Sequence, residues 1–251
     1  MKVNYHTHTW RCNHATGTER EYIENAIHAG ITTLGFADHV PYPYMNGHYS
    51  GFRMKPEQTP DYVNTLRALQ EEYKDQIRIL IGYEAEYYPD VFPDMLNFLG
   101  QYGYDYLILG QHFVTDSRED GHFSANPTDD VSILEQYVDL ILEGLRTGKY
   151  KYLAHPDVLN FTGDEAIYRK HMERLCRETK TMDIPLEVNM FGVESNRHYP
   201  SDRFFSIAAE VGNKVVMGCD AHRPGLIGDK AVEEKTLQFI EKFPLTLLSE
   251  F

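Results

Sequence analysis

An α/β barrel of about seven strands is the fold class this 251-residue sequence predicts, and three observations carry it. Short, β-prone apolar runs alternate with helix-length amphipathic stretches, which implies βαβ units and a parallel sheet. Polar, ligand-type side chains collect at the C-terminal end of each apolar run. An open doubly wound sheet binds mainly at one switch point, whereas a barrel gathers all its strand ends around one mouth. The length suits a single barrel-sized domain, residues 1–251.

The apolar runs are Val3–His8, Ile31–Asp38, Ile77–Glu84, Tyr104–His112, Tyr150–His155, Ile184–Asn189 and Lys214–Asp220. Between them, Thr18–Ala29 reads as a helix, with Thr18 and Glu21 at capping-box spacing and Gly30 as its stop. Pro60–Asp75, Asp129–Thr147, Asp164–Thr181 and Ser201–Val211 read as further helices. Residues 41–60 are too rich in Pro, Gly and Tyr for a helix and predict a long loop over the mouth.

Composition narrows the function. Hydrophobic residues are 42% and charged residues 25% of the chain, ordinary globular usage, and no apolar run is long enough to span a bilayer. The first ten residues include Lys2, Asn4, His6 and His8 rather than the apolar stretch of a signal peptide, so a cytoplasmic protein is expected. Cys12, Cys176 and Cys219 are scattered and odd in number, which fits a reducing compartment. The net charge of −14 argues against nucleic acid as a partner and repels small anions at long range. A phosphate-bearing substrate would need local positive charge, such as a cluster of divalent ions.

The run ends supply the material for one. His6, His8, His14, His39, Glu84, His112, His155, Asp220 and His222 all lie at or just beyond them, and they include seven of the twelve histidines. His6 and His8 are two apart on an extended backbone and so face the same side. Imidazole is the commonest metal-ligating side chain, and this repeated placement favours ligands over satisfied core histidines. His28 and His171 fall in helix-like stretches and His48 and His122 in loops. Cys12 lies inside the cluster, where it reads as a small space-filler and not as a ligand.

In order along the chain, HTH at the N-terminus, FADH, GYEAE, GQH, AHPD and GCDAHRP resemble the motifs of the polymerase and histidinol phosphatase (PHP) family of metal-dependent phosphoesterases. ADHVPYP, EVNMFGVESNRHYPS and VVMGCDAHRP resemble its histidinol-phosphatase branch. The resemblance implies a distorted (β/α)7 barrel with three divalent ions (Zn, Mn or Fe). By that likeness His6, His8, Glu84 and Asp220 would hold the first, Glu84, His112 and His155 the second, and His14, His39 and His222 the third. It further implies hydrolysis of L-histidinol phosphate to L-histidinol and phosphate, in histidine biosynthesis, by metal-activated hydroxide.

Residue chemistry is consistent with this. A carboxylate bridges two cations where a neutral imidazole cannot, which singles out Glu84, with Asp220 the other acidic candidate for the catalytic centre. No serine nucleophile motif is present. His198 is a candidate for protonating the leaving group or touching phosphate, or else a surface loop residue. Arg197 is a candidate phosphate clamp, because its fork matches two phosphoryl oxygens; the bland alternative is a surface salt bridge. Tyr42, Tyr44 and Tyr49 either meet a cationic substrate or pack the loop down. Asp38 either orients an imidazole or caps a helix. The expected partner is a small phosphomonoester, without nucleic acid or membrane, and a homo-oligomer is left open. The rivals are another PHP-type phosphoesterase acting on nucleotides or phosphotyrosine, an amidohydrolase-type metal hydrolase, and a catalytically silent metal-binding module.

Overall fold

The computed structural model describes residues 1–43, 49–114 and 121–249. In chain order its elements are β1 (Val3–Asn4), α1 (Glu19–His28), β2 (Thr33–His39), α2 (Thr59–Glu72), β3 (Arg78–Ala85), α3 (Phe92–Gly100), β4 (Tyr106–Leu109), β5 (Phe113–Val114), β6 (His122–Phe123), α4 (Val131–Arg146), β7 (Tyr150–Leu153), α5 (Glu165–Thr181), β8 (Leu186–Asn189), α6 (Met190–Glu194), α7 (Asp202–Val211), β9 (Lys214–Gly218), α8 (Lys230–Glu241) and β10 (Thr246–Leu247). Eight of the strands form one sheet in the order β1-β2-β3-β4-β7-β8-β9-β10, and every pair in it is parallel. β5 and β6 make a separate antiparallel hairpin.

The seven predicted runs are β1 to β4 and β7 to β9. The eighth strand, β10, is two exposed residues paired to the start of β9. Beyond β1 the chain closes the ring near the mouth: Thr7 bridges Ala221, and the His8 amide donates to the Ala221 carbonyl at 3.0 Å. The Asn4 side chain braces this seam, donating to Thr7 Oγ1 at 2.8 Å and accepting from the Cys219 amide at 2.9 Å. The result is a distorted parallel barrel.

Helix starts follow local chemistry. At α1 the Thr18 and Glu21 capping box is complete, which satisfies amides that the first turn leaves without helical partners. Asp130, Asp164 and Ser201 cap α4, α5 and α7. The apolar faces of these helices pack on the outside of the sheet and form the main core. A smaller cluster, including Tyr5, Tyr106, Ile108, Tyr152 and Val216, fills the barrel interior. The Tyr106 hydroxyl donates to the Tyr5 carbonyl at 2.7 Å across that interior. Polar groups are thereby left to the mouth. All three cysteines are free and buried, and no helix among the described residues is long and apolar enough to cross a membrane.

Candidate metal centre

Glu84, next to the last residue of β3, lies at the middle of the mouth and is 1% exposed. Its Oε1 lies 2.7 Å from His155 Nε2 and 3.4 Å from His112 Nε2. Its Oε2 lies 3.0 Å from His39 Nδ1, 3.4 Å from His6 Nε2 and 3.5 Å from His8 Nε2. Each oxygen thus faces a different set of imidazoles. Asp220 Oδ1 is 3.1 Å from His8 Nε2 and 3.5 Å from His6 Nε2. His14, His39 and His222 complete the ring, with the His14 and His222 rings stacked 4.6 Å apart.

The backbone strains to make this arrangement. His155 and Asp220 both adopt positive φ, 27° and 49°, a region that non-glycine residues enter only when the surroundings hold them there. Two glycines admit the acidic side chains: a Cβ at Gly110 would lie 2.0 Å from Glu84 Oε1, and one at Gly218 would lie 1.7 Å from Glu187 Oε1.

A second set of carboxylates backs the histidines. Glu187, fully buried on β8, accepts from His6 Nδ1 at 2.8 Å, from the His155 amide at 3.0 Å and from the Tyr152 hydroxyl at 3.2 Å. This fixes the His6 proton on Nδ1 and leaves Nε2 facing inward. Asp38 Oδ1 lies 3.5 Å from His8 Nδ1, while Oδ2 accepts from the hydroxyl and amide of Thr9. Asp38 Oδ1 also accepts from the His39 amide at 2.8 Å, so the carboxylate faces the His8 ring but spends its hydrogen bonds on Thr9 and the His39 backbone. Glu86 accepts from His112 Nδ1 at 3.1 Å.

Burial opposes charge throughout, and neighbours decide the outcome. It works against ionised Glu84, yet His112, His6 and His39 hold that carboxyl well below the usual range. It also opposes a charged His8, but the nearby carboxylates of Asp220 and Asp38 prevail and raise its pKa to about 9. For His222 burial prevails, assisted by His8, and the pKa falls to about 3.

The residues fit divalent cations. Among the described residues, buried His6 Nε2, His8 Nε2, His39 Nδ1, His222 Nε2 and Glu84 Oε2 find no hydrogen-bond partner, a costly state unless a cation takes their lone pairs. Sets of ligand atoms that lie within 4.8 Å of one another include His6, His8 and Glu84; His6, His155 and Asp220; His39, Glu84 and His112; and His14, His39 and His222. Cys12 Sγ is in reach of His8 and His222, but burial pushes its thiol up and disfavours the thiolate.

A cavity of about 430 Å³ opens above the cluster, walled by Phe52, Phe113, Phe123, Phe191 and Tyr199, with Arg197 also lining it. The Arg197 guanidinium lies 4.7 Å from the Phe191 ring centre and is paired with no carboxylate among the described residues. The other candidates for substrate contact are placed elsewhere. His198 does not line the cavity, and its Nε2 donates to the Val158 carbonyl at 2.8 Å. Tyr42 is buried, with its hydroxyl donating to the Glu86 carbonyl at 2.9 Å. Both therefore sit where they hold loops in place. Tyr44 lies outside the described residues.

Sequence reasoning passed over Glu187 and Glu86 as site residues. The available signal was alternation: Glu86 is two residues from Glu84, and Glu187 two from Asn189, whose side-chain amide joins Glu187 to Asp220 at 2.9 and 3.1 Å.

Residues 4–191 match the PHP domain. A probable histidinol-phosphatase of Deinococcus radiodurans is 31% identical over 231 residues, which cover 89% of this chain and 87% of that one. A probable histidinol-phosphatase of Schizosaccharomyces pombe is 25% identical over 91% of this chain and 83% of that one. A histidinol phosphate phosphatase from Lactococcus lactis, solved with Zn, L-histidinol and phosphate, superposes with a TM-score of 0.75 at 20% identity, covering 100% of this chain and 96% of that one. With three quarters of its length inside the matched span and its strand ends converging on one histidine-rich mouth, the chain belongs to the polymerase and histidinol phosphatase (PHP) family.

Proposed function

We infer that this protein is a histidinol-phosphatase that uses divalent metal to hydrolyse L-histidinol phosphate to L-histidinol and phosphate. The observation that supports it is the convergence of seven imidazoles and two carboxylates, with orphaned inward-facing nitrogens, beneath a cavity of small-molecule size. The Deinococcus and Schizosaccharomyces relatives carry that activity in their names, and the Lactococcus protein binds Zn, L-histidinol and phosphate. We read the chain as one such domain, residues 1–251, acting in the cytoplasm on a small phosphomonoester.

In this reading three ions, Zn, Mn or Fe, are held by His6, His8, Glu84 and Asp220; by Glu84, His112 and His155; and by His14, His39 and His222. Bound there, they supply positive charge for the phosphoryl oxygens and lower the pKa of water toward about 7. Glu84 would be shared between two ions, since its two oxygens face separate groups of histidines. Arg197, which has no competing carboxylate among the described residues, would offer its fork to the phosphoryl oxygens. The phenylalanine walls offer flat faces to the imidazole of the substrate. Asp157 accepts from the Ser201 amide at 2.7 Å and, with Val158, fastens the loop that carries Arg197.

A panel of phosphate and acetate release tests the assignment, run on histidinol phosphate, nucleotides, phosphotyrosine and acetylated amines with and without a strong chelator. Histidinol phosphate is expected to be hydrolysed best, with activity lost on chelation. Preference for a nucleotide or phosphotyrosine would move the chain to another phosphoesterase class, and acetate release to amide hydrolysis.

A further inference from the structure

The described part of the mouth loop, residues 49–55, meets the barrel through Phe52 and Arg53. Arg53 is 2% exposed, the largest of the fully buried side chains, although it lies in a segment of Gly, Tyr and Ser with no regular structure. Its guanidinium grips Glu86 with both arms: Nη1 donates to Oε2 at 3.1 Å and Nη2 to Oε1 at 3.0 Å. Nη1 also donates to the Val40 carbonyl at 3.3 Å, and the guanidinium lies 5.0 Å from the Tyr42 ring centre. The Glu86 oxygen that takes Nη2 is the one that accepts from His112 Nδ1. A continuous polar path therefore runs from the loop through Arg53 and Glu86 to an imidazole whose Nε2 faces Glu84.

Two further contacts tie the same segment to the rest of the mouth. The Arg53 carbonyl accepts from Asn13 Nδ2 at 3.1 Å, next to His14. The Phe52 ring sits edge-on to His39 at 4.8 Å and to His112 at 5.8 Å. The seated loop thus covers one flank of the histidine cluster. A buried ion pair of this kind is weak evidence for stability alone, because desolvation of both charges offsets their attraction. Fixing a single geometry is its better-founded use.

We propose that Arg53 is a positioning residue that acts through Glu86 on the metal ligand His112, making the seating of the mouth loop and the retention of the ion at Glu84 and His112 mutually dependent. The proposal rests on the reading of His112 as a ligand. Glu86 holds the His112 proton on Nδ1 and aims Nε2 inward, and Arg53 holds Glu86. Coupling of this kind is reciprocal: an ion on His112 favours the seated loop by the same factor as the seated loop favours the ion.

The test uses full-length, metal-loaded protein and reads metal content, the rate of ion loss to a chelator, and hydrogen exchange of the peptide spanning residues 49–58. In the wild type, chelation is expected to speed exchange of that peptide. In Arg53→Gln the peptide should exchange fast even with metal present, and one ion should bind about ten- to a hundredfold more weakly, the usual effect of removing an orienting partner. Arg53→Lys should recover part of both effects, since a point charge lacks the fork. Should the unpaired Glu86 prevent folding, the paired change Arg53→Met with Glu86→Gln leaves no lone buried charge, and its loop exchange should no longer respond to metal. Wild-type exchange and metal retention in Arg53→Gln would overturn the latch. His112→Ala keeps the two questions apart: if it retains every ion, the reading of His112 as a ligand fails, and if it loses one while Arg53→Gln does not, only the latch fails.

Discussion

The floor of the mouth and its rim hold their histidines by different means. On the floor, His6 and His8 are fully buried, and their outer nitrogens face the carboxylates of Glu187 and Asp38. At the rim, His14 is exposed and His222 half-buried, and their Nδ1 atoms donate to the backbone carbonyls of Cys12 at 2.8 Å and of Asp220 at 3.0 Å. A carboxylate adds charge and raises the basicity of its imidazole, whereas a carbonyl fixes only the tautomer. Floor ligands are therefore set by side chains that mutation can reach, and rim ligands by the path of the chain.

Glu84 belongs to both regions, because Oε2 faces His39 as well as His6 and His8 while Oε1 faces His112 and His155. The largest effect is accordingly expected from Glu84→Gln, which keeps the shape and removes the bridging charge. Turnover should fall by several orders of magnitude, and elemental analysis should show loss of more than one ion per chain. Near-normal rates with a full metal load would end the bridging role.

The contrast itself is tested by Glu187→Gln beside Cys12→Ala. An amide in place of Glu187 turns a donor toward the His155 amide or the Tyr152 hydroxyl, so metal affinity should drop about ten- to a hundredfold in chelator competition. Cys12→Ala leaves the carbonyl that holds His14 in place and should change metal affinity by no more than about twofold, as expected of a space-filler. Equal losses in both variants would erase the distinction and make Cys12 a ligand instead of a space-filler.

The same division only partly explains what the sequence revealed. Strand alternation and the positions where apolar runs stop were sufficient to name all nine ligand-type residues, His14 and His222 included, because each lies at or just beyond the end of an apolar run. The rest of the rim is built from loops, whose paths depend on tertiary contacts. Nothing local in the segment around Arg53 predicts that it turns inward to Glu86, or that Tyr42 and His198 point away from the cavity. Among the elements, α3 was not anticipated: Phe92, Met95 and Leu99 do share one buried face, but nine residues are too few turns for that period to stand out. α8, beyond the last ligand, and the two exposed residues of β10 were also missed.

Arg197 is the rim residue with most to lose. Its guanidinium rests on Phe191, with no carboxylate among the described residues to hold it, and it lines the cavity. Removing a charge-assisted hydrogen bond costs about 1.5–3 kcal/mol, so Arg197→Ala should lower kcat/KM for histidinol phosphate by roughly ten- to a hundredfold. Metal content and Tm should stay nearly unchanged, and Arg197→Lys should recover only part of the loss. Wild-type efficiency in Arg197→Ala would assign the residue to the surface, and metal loss would assign it to structure.

The smallest effect is expected next door, at His198, and it decides between anchoring and catalysis. Burial, with the charge of Arg197 behind it, lowers the pKa of this imidazole below its ordinary 6.5, and its Nε2 proton is committed to the Val158 carbonyl. A neutral ring whose proton points into the protein is a poor donor to a leaving group. Because the folded-state value lies below the unfolded one, the stability linked to His198 is fully present above pH 6.5 and declines as the pH falls through 6.5 toward the folded value. His198→Gln keeps a donor for Val158 and removes the titration. Its Tm should therefore fall less than that of the wild type between pH 7.5 and 5.5, a window chosen as about one unit either side of the ordinary histidine value. At pH 8 its kcat/KM should remain within about threefold of wild type, whereas loss of a general acid costs about 10²-fold or more. A drop of that size with the metal load intact would return His198 to the reaction and make the proton donor, too, a rim residue.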